Sequence, residues 1–86
     1  MRRAAKVDGN HGEIVRALRR VGCAVLDLSR LGGGVPDLLV RRGRVWTLLE
    51  IKTPKGRVRQ QQIDFAHQWP VVVVRSVDEA IQAVQG

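Results

Sequence analysis

The sequence predicts one α/β domain of element order αβββαβα, a mixed central sheet with helices on its faces. Three observations predict it. Ile14, Leu18 and Val21 recur at i, i+4 and i+7, the spacing of one helix face. Two apolar runs, Asp37–Arg41 and Val45–Lys52, flank the short turn Arg42-Gly43-Arg44, as in a hairpin. Four consecutive valines, Val71–Val74, follow Trp69-Pro70 and read as a strand covered on both faces.

Each element has a local reason. Residues 1–9 are expected to form a flexible basic arm, and residues 10–86 the folded domain. Asn10 suits the N-cap of the first helix, because its side-chain oxygen can accept from a free first-turn N–H. Gly22 suits the helix end. Cys23–Leu28 is short and apolar, a first strand, and Gly32-Gly33-Gly34 separates it from the next. Trp46 alternates with Leu48 and is expected in the core. Thr53-Pro54-Lys55-Gly56 is a loop. Arg59–Trp69 reads as a glutamine-rich helix with Ile63, Ala66 and Trp69 on its buried side, stopped by Pro70. Ser76 with Glu79 three residues on forms a capping box for a last helix bearing Ala80, Ile81 and Val84.

Composition narrows the function. A chain of 86 residues makes a small core, so a dimer partner is expected to add stability. Its one cysteine excludes an internal disulfide and suggests a reducing compartment. No apolar run approaches the roughly 20 residues of a membrane span, and no apolar signal core follows the basic start. Lys and Arg total 15 against 8 acids, and twelve of the 15 are Arg. Arg presents a planar fork suited to phosphate. A phosphate backbone is therefore the first candidate partner.

Charged residues stand where a strand disfavours them. Glu50 and Lys52 are two apart near the end of the third strand and so share a face. Asp37 opens the second strand. A hairpin pairing Arg41 with Arg44 sets Asp37 opposite Leu48; a register two residues longer sets it opposite Glu50. In both, Asp37 shares the face of Glu50 and Lys52. Two carboxylates suit Mg²⁺, which favours oxygen ligands and keeps several waters. Such an ion polarises a phosphoryl oxygen and acidifies a bound water. A neighbouring lysine can orient that water or stabilise developing charge. Phosphodiester hydrolysis is the matching chemistry.

Gly34-Val35-Pro36-Asp37 followed by Leu49-Glu50-Ile51-Lys52 resembles the PD-(D/E)xK nuclease signature, and the element order is similar to that superfamily's restriction-endonuclease-like αβββαβ core. More narrowly, the chain resembles a stand-alone, phage-type VRR-NUC (virus-type replication–repair nuclease) domain. The ordered set Glu13, Asp37, Glu50, Lys52 and Gln62 carries that resemblance. It implies that Asp37, Glu50 and the Ile51 backbone carbonyl hold Mg²⁺ or Mn²⁺. It implies that Lys52 is the catalytic lysine. Glu13 would bind the metal directly or through a water, or position the first helix, and Gln62 would support the site. The substrate implied is DNA, branched or shaped as a Holliday junction, cut by a homodimer in the cytoplasm of a bacterial or phage-infected cell.

Other features weigh less. Lys55, Arg57 and Arg59 follow Lys52 directly and are the expected phosphate contacts. The glycine run lacks the Lys-Ser/Thr of a P-loop, so no nucleotide cofactor is expected. His11, Cys23 and His67 match no zinc spacing. The competing readings are a non-catalytic nucleic-acid-binding module and a nuclease subunit of a larger repair or restriction complex.

Overall fold

The computed structural model describes residues 9–85; apart from Gly9, the expected basic arm lies outside them. The order is α1 (His11–Arg20), β1 (Ala24–Asp27), β2 (Leu38–Arg42), β3 (Val45–Ile51), α2 (Gln60–Gln68), β4 (Val71–Val74) and α3 (Val77–Gln85). The four strands form one mixed sheet in the order β1-β2-β3-β4. The pairs β1–β2 and β2–β3 are antiparallel, and β3–β4 is parallel. The parallel pair requires a crossover, which α2 supplies. The expected α/β class and element order therefore stand.

One face of the sheet carries the core. Leu38, Val40, Leu49, Ile51 and Val74 point to it and meet Ile14 and Leu18 of α1 and Ala80 and Val84 of α3, all buried. Each such Leu or Ile contributes about 1.5–3 kcal/mol by leaving water. The α1 stripe therefore works as its spacing predicts. Its end is a Schellman motif: Cys23 N–H donates to Leu18 O and Gly22 N–H to Arg19 O, both at 3.0 Å, with Gly22 at φ +94°. Ser76 caps α3 as expected, its hydroxyl accepting the Glu79 N–H at 3.1 Å. The Glu79 carboxylate reaches back to the Arg75 N–H at 2.7 Å.

The hairpin takes the register that sets Asp37 opposite Glu50, reached with a shifted two-residue turn and not with a longer loop. Leu38 pairs with Leu49 and Arg42 with Val45, so Gly43 and Arg44 alone form the turn. Continuing that register by one step sets Asp37 opposite Glu50.

Several expectations change. Asn10 does not cap α1 with its side chain. Its Nδ2 instead donates to Arg75 O at 3.2 Å and Lys52 O at 3.4 Å, tying the helix start to the ends of β3 and β4. Val71–Val74 is not covered on both faces. As the edge strand it buries only Val74, and Val72 and Val73 are exposed. Trp46 is 66% exposed, because alternation along β3 turns it to the face away from α1 and α3. No residue of α2 is buried. Phe65 and Trp69 stack on each other instead, ring centroids 6.1 Å apart. The helix lies over the second face and stands off it, which leaves a gap between them.

Candidate active site

Backbone packing assembles the site at the end of β3. The glycine run bends the chain between β1 and Asp37, with Gly34 at φ +86°. A Cβ on Gly34 would lie 2.3 Å from the Gln61 carbonyl oxygen. Only a glycine lets this loop close against the first turn of α2. That closure seats Asp37 beside β3 and brings Gln62 over Glu50.

Asp37 Oδ2 accepts the Ile51 N–H at 2.8 Å, and its own carbonyl accepts the Leu28 N–H at 2.7 Å. The residue is thus held by backbone on two sides, its carboxylate by Ile51 and its main chain by Leu28. Glu50 is 4% exposed and Lys52 9%. Lys52 Nζ lies 3.2 Å from Glu50 Oε2, and Gln62 Nε2 donates to the same oxygen at 2.8 Å. The other end of the Gln62 amide, Oε1, accepts the Arg59 N–H at 2.9 Å. Gln62 therefore caps its helix and holds the carboxylate with one side chain, which singles it out among three consecutive glutamines.

Glu50 Oε1 is buried and has no hydrogen-bond partner among the described residues. A buried unpartnered carboxylate oxygen costs stability. Burial pushes the Glu50 pKa up, and the adjacent Asp37 charge pushes the same way, against the pull of Lys52. The arrangement disfavours two negative charges together unless a cation joins them. Two carboxylates, one with a free oxygen, form an oxygen-only donor set that fits a hard divalent cation.

Glu13 is not brought into this group. It is exposed on the first turn of α1 and makes no hydrogen bond or ion pair among the described residues. No three His, Cys, Asp or Glu side chains converge among the described residues. Lys55, Arg57 and Arg59 are exposed on the segment that leaves Lys52. Cys23 is buried in the core, His11 sits beside Asp27 with Nε2 3.1 Å from Oδ2, and His67 is exposed on α2.

Two residues near the site escaped sequence reasoning. Arg75 Nη1 donates to Thr53 O at 2.8 Å and to Gly56 O at 2.7 Å, holding the loop after Lys52 from behind. Asn10 grips the Lys52 carbonyl as described. Arg75 follows an apolar strand and precedes a helix cap, so its local sequence suggests only a solvated charge. Its partners lie about twenty residues away and come close through the parallel pairing of β3 and β4.

Among the described residues, no helix is long and apolar enough to cross a membrane. No family model, curated protein or solved structure matches the chain.

Proposed function

We propose that this protein is a divalent-metal-dependent DNA endonuclease of the PD-(D/E)xK kind, similar to stand-alone VRR-NUC domains. One observation carries the reading. Asp37, Glu50, Lys52 and Gln62 converge at one strand end, with a buried carboxylate oxygen left unpartnered.

Asp37 and Glu50 would hold Mg²⁺ or Mn²⁺, with the Ile51 carbonyl as a further ligand; Glu13 lies outside this group. A divalent ion bound there would supply Lewis acidity toward the phosphoryl oxygen and toward a bound water. The chain's own groups do the rest. Asp37 is held rigid by the Ile51 N–H, so it meets the ion without reorganisation. Lys52 shares Oε2 of Glu50 and presents a cation at the same place, suited to orienting water or stabilising charge on the phosphate. Gln62 orients the Glu50 carboxylate and leaves Oε1 free. Lys55, Arg57 and Arg59 would bind neighbouring phosphates. A homodimer would set two such sites against the two strands of a symmetric junction.

The test is cleavage of a labelled four-way junction, a flap, a single strand and a duplex, each with Mg²⁺, Mn²⁺ or EDTA. Metal-dependent cutting lost in Asp37→Asn and Lys52→Ala is the expected result. Equal cutting by those variants, or tight binding with no cutting in either metal, would overturn it and favour the non-catalytic module.

A further inference from the structure

The gap beneath α2 is a cavity of about 160 Å³. Pro36, Val58, Ile63, Ala66, Val71 and Val73 line it, and so does Glu50. It is far smaller than the roughly 300–1,000 Å³ of a whole-ligand pocket. It has room for one flat ring system. Its walls are unfilled: α2 buries nothing, and Ile63 and Val73 remain exposed at its edge.

Its surroundings select an occupant. Val58 lies between Arg57 and Arg59, both exposed. Apolar walls that include a valine set between two exposed arginines in the chain complement a ligand with a flat apolar part and an anionic part. A nucleotide within a strand has that form. Because Glu50 lines the cavity, a base seated there adjoins the phosphate facing the two carboxylates. A base stacked and paired in a duplex enters only once extruded, at a cost of a few kcal/mol. An unpaired base enters without most of that cost.

We propose that this cavity receives one unpaired nucleobase of the strand whose phosphate lies at Asp37 and Glu50. The cavity, and not a separate reading domain, then selects strands with an unpaired nucleotide beside the cut. This inference rests on the nuclease reading for the presence of a strand at that point.

The experiment measures binding of the full chain to a flap oligonucleotide in EDTA. A single abasic position is moved stepwise along the unpaired strand. One position is expected to weaken binding roughly tenfold, the scale of a lost base contact. Ala66→Phe, which fills the cavity from an exposed helix position, is expected to bind abasic and intact flaps alike while still binding duplex as the unaltered protein does. If no abasic position weakens binding to the unaltered protein, the proposal fails, however the variant folds. If Ala66→Phe converts a dimer to a monomer and leaves the abasic loss in place, the cavity receives a second copy and the proposal also fails. An abasic loss without any metal-dependent cleavage would uphold the base receptor and overturn the nuclease. Cleavage indifferent to every abasic position would do the reverse.

Discussion

Gln62 and Glu50 are joined by a 2.8 Å hydrogen bond from an amide that simultaneously caps its own helix. The bond leaves Glu50 Oε1 without a partner while Oε2 is shared by Gln62 and Lys52. Asymmetry of this kind prepares a carboxylate for a cation on one oxygen only. Removing Gln62 frees the carboxylate to rotate. Gln62→Ala is expected to lower kcat at least tenfold with KM for DNA nearly unchanged, measured at saturating Mg²⁺. Gln62→Glu would add a third negative charge and is expected to fare worse.

Glu50 makes the metal-free protein less stable as pH rises. Its pKa is raised in the folded state, chiefly by burial. A raised folded pKa favours the fold most below the ordinary carboxylate value, and that advantage disappears as pH climbs through the folded value. Glu50→Gln mimics the protonated form. In EDTA at neutral pH its Tm is expected to exceed that of the unaltered protein, with about 4–8 °C for each kcal/mol gained. The difference should vanish near pH 4. A lower Tm for Glu50→Gln at neutral pH would contradict this account.

Asp27 behaves in the opposite sense. The Ser29 hydroxyl, the Ser29 N–H and His11 all bond its carboxylate, and its pKa falls from 3.8 to about 2. The stability it contributes is complete above pH 3.8 and lost as pH falls through about 2. The side chain is half exposed, so solvent screening reduces that contribution to about 1 kcal/mol. Asp27→Asn is expected to lower Tm by about 4–8 °C at neutral pH and by progressively less in acid. Thermal melts from pH 7 to pH 2 would check it.

Gly34→Ala tests the closure that positions Gln62. The added Cβ meets backbone at 2.3 Å, and the φ of +86° is strained for any L side chain. The conformation alone costs about 1–3 kcal/mol. The α2 helix must also shift. A lower Tm together with loss of the Gln62–Glu50 hydrogen bond is expected, followed by the Gln62 side-chain amide resonance. An unchanged resonance would show that the loop does not set the helix.

Arg75 is expected to act through the loop it holds. Arg75→Met keeps much of the side chain's bulk and removes both bonds to Thr53 O and Gly56 O. Amide exchange over residues 53–57 should accelerate at least tenfold, and DNA binding should weaken because Lys55 and Arg57 lose their anchor. Unaltered exchange there would sink the idea.

Most of the architecture could be read locally because its signals are local. The α1 stripe, the Gly22 end, the turn residues at Gly43 and the Ser76 cap depend on neighbours within a few positions, and each formed. The proximity of Glu50 and Lys52 was also readable, since alternation along a strand puts them on one face in every register. Errors came where burial depends on what covers a face. Trp46 and the valines of β4 look like core by composition. Among the described residues, no helix packs over Trp46 and β4 has no strand beyond it.

The sequence by itself determined the elements, their order and the residues that carry charge at the strand end, because these follow from backbone conformation and side-chain periodicity. Only the tertiary structure decided the hairpin register, the choice of Gln62 among three glutamines, the separation of Glu13 from the two carboxylates, and the clamp from Arg75. Each of those depends on contacts between segments far apart in the chain. Such contacts are set by whole-face packing of α1 and α3 on the sheet, and by the close approach of Gly34 to α2, which no local pattern encodes.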